Sequence, residues 1–96
     1  MITLIATVKV KDGNMEQAIE VLKEIVPKIK ESEPGTLEYI PHTVKGPKDK
    51  NTIIFYEKYE DKDALKTHTA NLGKNLAKFI PLLEPGMDTK TCFEIL

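Results

Sequence analysis

"TIIFYEKYEDKDALKTHTANLGKNLAKF", residues 52–79, changes its hydrophobic period part-way, and the fold turns on that change. Within 52–59, Ile53, Phe55 and Tyr59 fall on one side and Ile54 and Tyr56 on the other, the period of a β-strand. Asp61 then stands where a helix cap belongs. Beyond it Leu65, His68, Leu72, Leu76 and Phe79 recur at three- and four-residue steps and share one helix face. This helical stretch is expected from about 62 to 83, with Asn71–Gly73 able to divide it. Its apolar stripe should look inward, yet it carries an imidazole.

Working outward, "ITLIATVKV" (2–10) alternates Ile2, Leu4, Ala6, Val8 and Val10, as a strand does. "KDGN" (11–14) reads as a turn, with Asn14 expected to cap the next helix. In 15–31 the period switches, and Met15, Ala18, Ile19, Leu22, Ile25, Val26 and Ile29 trace one helix face. Pro27 is expected to kink or shorten that helix. "EPG" (33–35) stops it, and "TLEYIPHTV" (36–44) is a strand whose Pro41 suggests an edge position or a bulge. "KGPKDKN" (45–51) is a charged, solvated loop, "EPGMD" (84–88) a second turn and "TKTCFEI" (89–95) the last strand.

The order is β-α-β-β-α-β, with no Pro-, Gly- or Ser-rich linker to divide residues 1–96. It predicts an α+β, ferredoxin-like single domain: a four-stranded antiparallel sheet with two helices on one face. Two helices cover one face only, but Ile5, Ile54 and Tyr56 point to the other. A second copy packed sheet to sheet, giving a homodimer, is the economical cover.

Composition narrows the function classes. Ninety-six residues give a modest core, which a second subunit would extend. A net charge of −1 exerts no general pull on nucleic acid or an anionic membrane. All fourteen basic residues are lysine, so the arginine fork that grips phosphates and guanine edges is missing. No nucleic-acid or membrane partner is expected. No run approaches the roughly 18 apolar residues of a membrane span, and no basic leader precedes the first strand, so a cytoplasmic location is expected. A lone cysteine, Cys92, allows no internal disulfide, and it reads as a buried, inert thiol. His42 and His68 stand at unrelated spacing, so no metal site is expected.

Three signatures in order carry a family resemblance: the early strand running into "KDGN", "EPGTLEY" at 33–39, and "FYEKYEDKDALKTH" at 55–68. The chain resembles the antibiotic biosynthesis monooxygenase (ABM) family of dimeric α/β barrels over nearly its whole length. That family includes cofactor-free quinol monooxygenases, haem-degrading oxygenases and an isomerase of a phosphorylated signalling sugar derivative. The resemblance implies a ligand cavity between helices and sheet, beside His68. The haem-degrading branch uses an Asn on the first strand, a Trp on the second helix and a His iron ligand. By spacing these fall near Ala6, at His68 and near Lys78, and none is present. The quinol monooxygenases and the isomerase often carry a second His five residues after the first, where this chain has Gly73.

His68 is thus the candidate general base, able to take a phenolic proton near neutral pH. The resulting anion donates an electron to O₂, so no cofactor is expected. The competing reading is a buried, hydrogen-bonded core histidine. Glu57 is a candidate to orient His68 or accept a proton, or simply a lysine's partner. Tyr56 and Tyr59, on opposite strand faces, are candidates for the cavity and the dimer seam. Asn71 can hydrogen-bond a carbonyl or end a helical segment. Leu72, Leu76, Phe79 and Met87 are candidate cavity walls, with core packing as their default. The expected activity is cofactor-independent oxygenation of a small aromatic or quinol molecule by O₂. The alternatives are an isomerase of a small carbonyl compound and a non-catalytic ligand-binding or stress-response domain.

Overall fold

The computed structural model describes residues 1–96. Strand β1 (Ile2–Lys9) is followed by helix α1 (Met15–Ser32), β2 (Thr36–Thr43), β3 (Thr52–Tyr59), helix α2 (Lys62–Asn75) and β4 (Asp88–Phe93). The strands form one antiparallel sheet in the order β2-β3-β1-β4. This is the ferredoxin-like plan expected from the sequence, with both helices on one face.

Side-chain alternation decides which residues that face receives. On β3, Ile53, Phe55, Glu57 and Tyr59 are buried, while Ile54, Tyr56 and Lys58 are half-buried on the other side. Registers then align Glu57 of β3, Leu4 of β1 and Thr91 of β4 in one cross-strand row, and Phe55, Ala6 and Thr89 in the next. Ala18, Leu22, Ile25 and Ile29 of α1 close the core over this surface. The outer face carries Ile5, Ile40, Ile54 and Tyr56.

Asp61 caps α2 as expected, its carboxylate accepting the Ala64 amide at 2.8 Å. Asn14 occupies the cap position of α1, but its side chain makes no capping bond. Helix α1 runs unbroken through Pro27, so the shortening expected there does not occur. The proline removes one donor, and the packed apolar face on either side holds the helix. Helix α2 also passes Asn71–Gly73 intact and ends at Asn75; a short 3₁₀ turn, Ile80–Leu82, follows. Pro41 lies on the edge strand, where its missing donor costs no ladder bond, and the bulge sits earlier, between Thr36 and Glu38. Cys92 is half-exposed on β4 rather than buried, because that edge strand has one neighbour only.

The turn after α1 sets the site. Gly35 lies so close to α2 that an added Cβ would stand 2.6 Å from the Ala64 Cβ. Its carbonyl also accepts the Glu60 amide at 2.9 Å. Only a residue without a side chain permits this approach. It locks the end of α1, with Glu33, against the start of α2, with His68 two turns further on.

Candidate functional site

His68 is the one fully buried residue of α2. Its Nδ1 lies 2.8 Å from Glu33 Oε1. The same Glu33 oxygen accepts the Thr36 hydroxyl at 3.0 Å, and Oε2 accepts the Asn75 amide at 2.9 Å. The Thr36 hydroxyl and the Asn75 amide both donate, so Glu33 meets its neighbours as an acceptor. Nδ1 is therefore the nitrogen that bears hydrogen, and Nε2 keeps its lone pair. The rings of Tyr39 and Tyr59 pack against the imidazole, with centroids 5.0 and 5.2 Å away, and fix its plane.

On the other side of the ring, Nε2 stands 3.8 Å from Glu57 Oε1, beyond hydrogen-bond range. Glu57 is buried and accepts the Tyr59 hydroxyl at 2.5 Å. Burial pushes the Glu57 carboxyl above its ordinary range, against the opposing pull of the Tyr59 hydrogen bond and of His68. Burial likewise raises the Tyr39 phenol, reinforced by Glu57 and Glu33. Tyr59 is raised by burial and by its hydrogen bond to Glu57. Both phenols stay neutral.

His68 and Glu57 open onto a cavity of about 280 Å³ between α2 and the sheet. All five residues of the helical stripe, Leu65, His68, Leu72, Leu76 and Phe79, line it. Leu4, Ala6, Tyr39 and Phe55 form the sheet side. Thr89, Thr91 and Met87 are exposed at the rim, so the mouth opens over β4. A space this size takes one or two small rings, since a cavity of roughly 150 Å³ already holds benzene. The chain has a larger concavity of about 440 Å³ between α1 and β2, lined by Lys23, Val26, Pro27, Pro41 and His42 among others. It is an open groove without a buried titratable group, and His42 in it is exposed, its Nδ1 2.9 Å from the Ile40 carbonyl. The smaller cavity is the candidate site.

Of the residues singled out in the sequence, the structure brings His68, Glu57, Leu72, Phe79 and Met87 to the cavity. Tyr59 supports Glu57 from behind the cavity wall. Tyr56 does not line the cavity: strand period sends it to the outer face, beside Ile40 and Ile5. Asn71 does not line it either; Asn75, one helical turn later, is the amide that reaches the charged network. An added Cβ at Gly73 would meet nothing within 4 Å, so that position faces open space. The bonded partner of His68 is Glu33 instead, and Glu57 stands 3.8 Å from its other ring nitrogen. Glu33 was missed in the sequence because "EPG" reads fully as a helix stop. Tyr39, in the same signature, was missed because an aromatic residue on a strand reads as core.

The family model described as antibiotic biosynthesis monooxygenase matches residues 1–73. The chain belongs to this family. The matched span contains Glu33, Tyr39, Glu57 and His68; Asn75, Phe79 and the β4 rim lie beyond it. Among solved structures, a Caulobacter crescentus protein named as a candidate antibiotic biosynthesis monooxygenase superposes with a TM-score of 0.82 at 24% identity, covering 99% of this chain and 90% of its own. Another antibiotic biosynthesis monooxygenase structure gives 0.80 at 20% identity over the whole of both chains. A conserved protein from Methanosarcina mazei gives 0.77 at 14% identity, covering 95% of this chain and 89% of its own. These likenesses show a shared fold in which most side chains differ. A search of the curated proteins found no match. No helix of this ABM chain is long and apolar enough to cross a membrane.

Proposed function

We propose that the chain is a cofactor-independent monooxygenase of a small aromatic quinol, with His68 as general base. The observation that carries this is the free Nε2 of a carboxylate-held imidazole in the wall of an apolar, ring-sized cavity. Glu33 fixes the tautomer and balances the charge when Nε2 takes a proton. The phenolic O–H bond breaks, its proton goes to Nε2, and the electron-rich anion transfers an electron to O₂. One oxygen atom ends on the ring and the other leaves as water: quinol plus O₂ gives hydroxyquinone plus water. All the electrons come from the substrate.

Family membership supports oxygen chemistry in general, and the apolar walls Leu72, Phe79 and Met87 support an aromatic ligand. The acid–base pair of His68 and Glu57, 3.8 Å apart, also supports a second reading, isomerisation of a small carbonyl compound. Residues 1–96 are read as one domain, since β4 pairs with β1 and ties the two ends together. The cluster of Ile5, Ile40, Ile54 and Tyr56 on the outer face supports a homodimer; a monomer by light scattering at micromolar concentration would remove that part of the reading.

The test is oxygen consumption in metal-free buffer with hydroquinones and dihydroxynaphthalenes, comparing the protein with His68→Ala after subtracting autoxidation. Uptake that falls at least ~10²-fold in the variant is expected for a lost general base. No uptake above background across the panel overturns the reading, and anaerobic product analysis then tests the isomerase.

A further inference from the structure

Glu57 faces the cavity with a single hydrogen-bond donor, the Tyr59 hydroxyl. The groups around it are Tyr59 on its own strand, Tyr39 opposite on β2, Leu4 on β1 and His68 on α2; Glu33 lies behind the imidazole. No lysine is among them. Its Oε1 and His68 Nε2 are too far apart to bond each other, yet close enough that one ligand oxygen can reach both. We propose that Glu57 works as a neutral carboxylic acid, donating a hydrogen bond to the same ligand oxygen whose proton His68 Nε2 accepts.

The charges require this division. The ligand O–H bond breaks and its proton goes to Nε2, while Glu57 keeps its own proton and shares it with the new oxyanion. The imidazolium is then balanced by Glu33 at 2.8 Å, and the oxyanion by the imidazolium and the Glu57 hydrogen bond. An ionised Glu57 would set a second negative charge beside the anion in a low-dielectric cavity, where like charges repel strongly. A buried acid with one neutral donor keeps its proton, and such an acid stabilises a developing oxyanion. The inference rests on the phenolic part of the proposed function and is independent of its oxygen chemistry.

The test uses 4-nitrophenol without oxygen, because its absorbance distinguishes phenol from phenolate. The protein should bind it as phenolate. Glu57→Gln, which keeps a neutral donor, should bind within ~3-fold of the unaltered protein; Glu57→Leu, which has no donor, should bind at least ~10-fold more weakly. Equal losses in the two variants, binding as the neutral phenol, or no binding to the unaltered protein would each overturn the proposal. Infrared difference spectra of the unaltered protein against Glu57→Gln give a ligand-free check at neutral pH. Loss of a carboxylic-acid carbonyl band supports the neutral acid, and loss of a carboxylate band overturns it. Oxygen uptake in the first assay can fail while these readouts hold, so failure of the monooxygenase reading and of this inference are told apart.

Discussion

Two buried glutamates flank one imidazole, and they are not equivalent. Glu33, at the end of α1, has three donors: the His68 ring, the Thr36 hydroxyl and the Asn75 amide. Glu57, in the middle of β3, has one. A strand's own backbone groups are used up in the ladder, so a carboxylate on it finds few donors. A helix end and the turn after it offer several. One side chain type therefore stands in two settings, a carboxyl group met by three donors at Glu33 and one met by a single donor at Glu57. His68 between them has one nitrogen held and one free.

The largest effect expected from breaking this asymmetry is at Glu33. Glu33→Ala leaves the imidazole, Thr36 and Asn75 without their acceptor, and a loss of about 3–5 kcal/mol is expected, as for breaking a buried pair. Glu33→Gln keeps an acceptor and should cost less, about 1–3 kcal/mol. Urea unfolding measures both, and equal costs would show that the charge of Glu33 plays no part.

Gly35→Ala comes next. The added methyl meets the Ala64 Cβ at 2.6 Å, so the α1–α2 contact must open, at about 1–3 kcal/mol for an overpacked site. A His68 ring signal shifted in the folded variant would show that this contact aims Glu33. An unshifted signal with full stability would show that the turn does not position the site.

At Glu57 the expected effect is smaller and depends on pH. Its carboxyl is raised in the folded protein by burial. At low pH both folded and unfolded chains hold the proton, and the stabilising contribution is whole. As pH rises past the unfolded value the unfolded chain ionises first, and the contribution is lost up through the folded value. Glu57→Gln does not titrate, so its stability relative to the unaltered protein should climb with pH. A difference that falls as pH rises would mean that the fold favours the ionised form of Glu57. Asn71→Ala should do least: within about 0.5 kcal/mol in stability, with oxygen uptake unchanged, since the residue does not reach the cavity.

Much of the fold was legible because it follows from period. The switch from alternate positions in 52–59 to three- and four-residue steps from 65 onward placed a strand and a helix and assigned His68 to the inward face, although the helix ends at Asn75 and not near 83. Features that depend on neighbours were not legible. Pro27 and Gly73 read as breaks because local preference was all the sequence offered, and tertiary packing overrode it. The site was half legible for the same reason. His68 and Glu57 stood out as polar residues within apolar patterns. Glu33 is 35 positions from His68 and stood in a turn signature that explained it fully. Tyr56 and Tyr59 could be separated by strand period, but which face held the cavity depended on where the helices lie.

The most direct test of the account is the protonation of the His68 ring, read by ¹⁵N NMR on uniformly labelled protein near pH 8. The chain has two histidines, so His68→Ala assigns the signals. The account predicts a proton on Nδ1, held by Glu33, and a bare Nε2, with that preference lost in Glu33→Gln. A proton on Nε2, or a ring doubly protonated at that pH, would leave no free base facing the cavity and would contradict it.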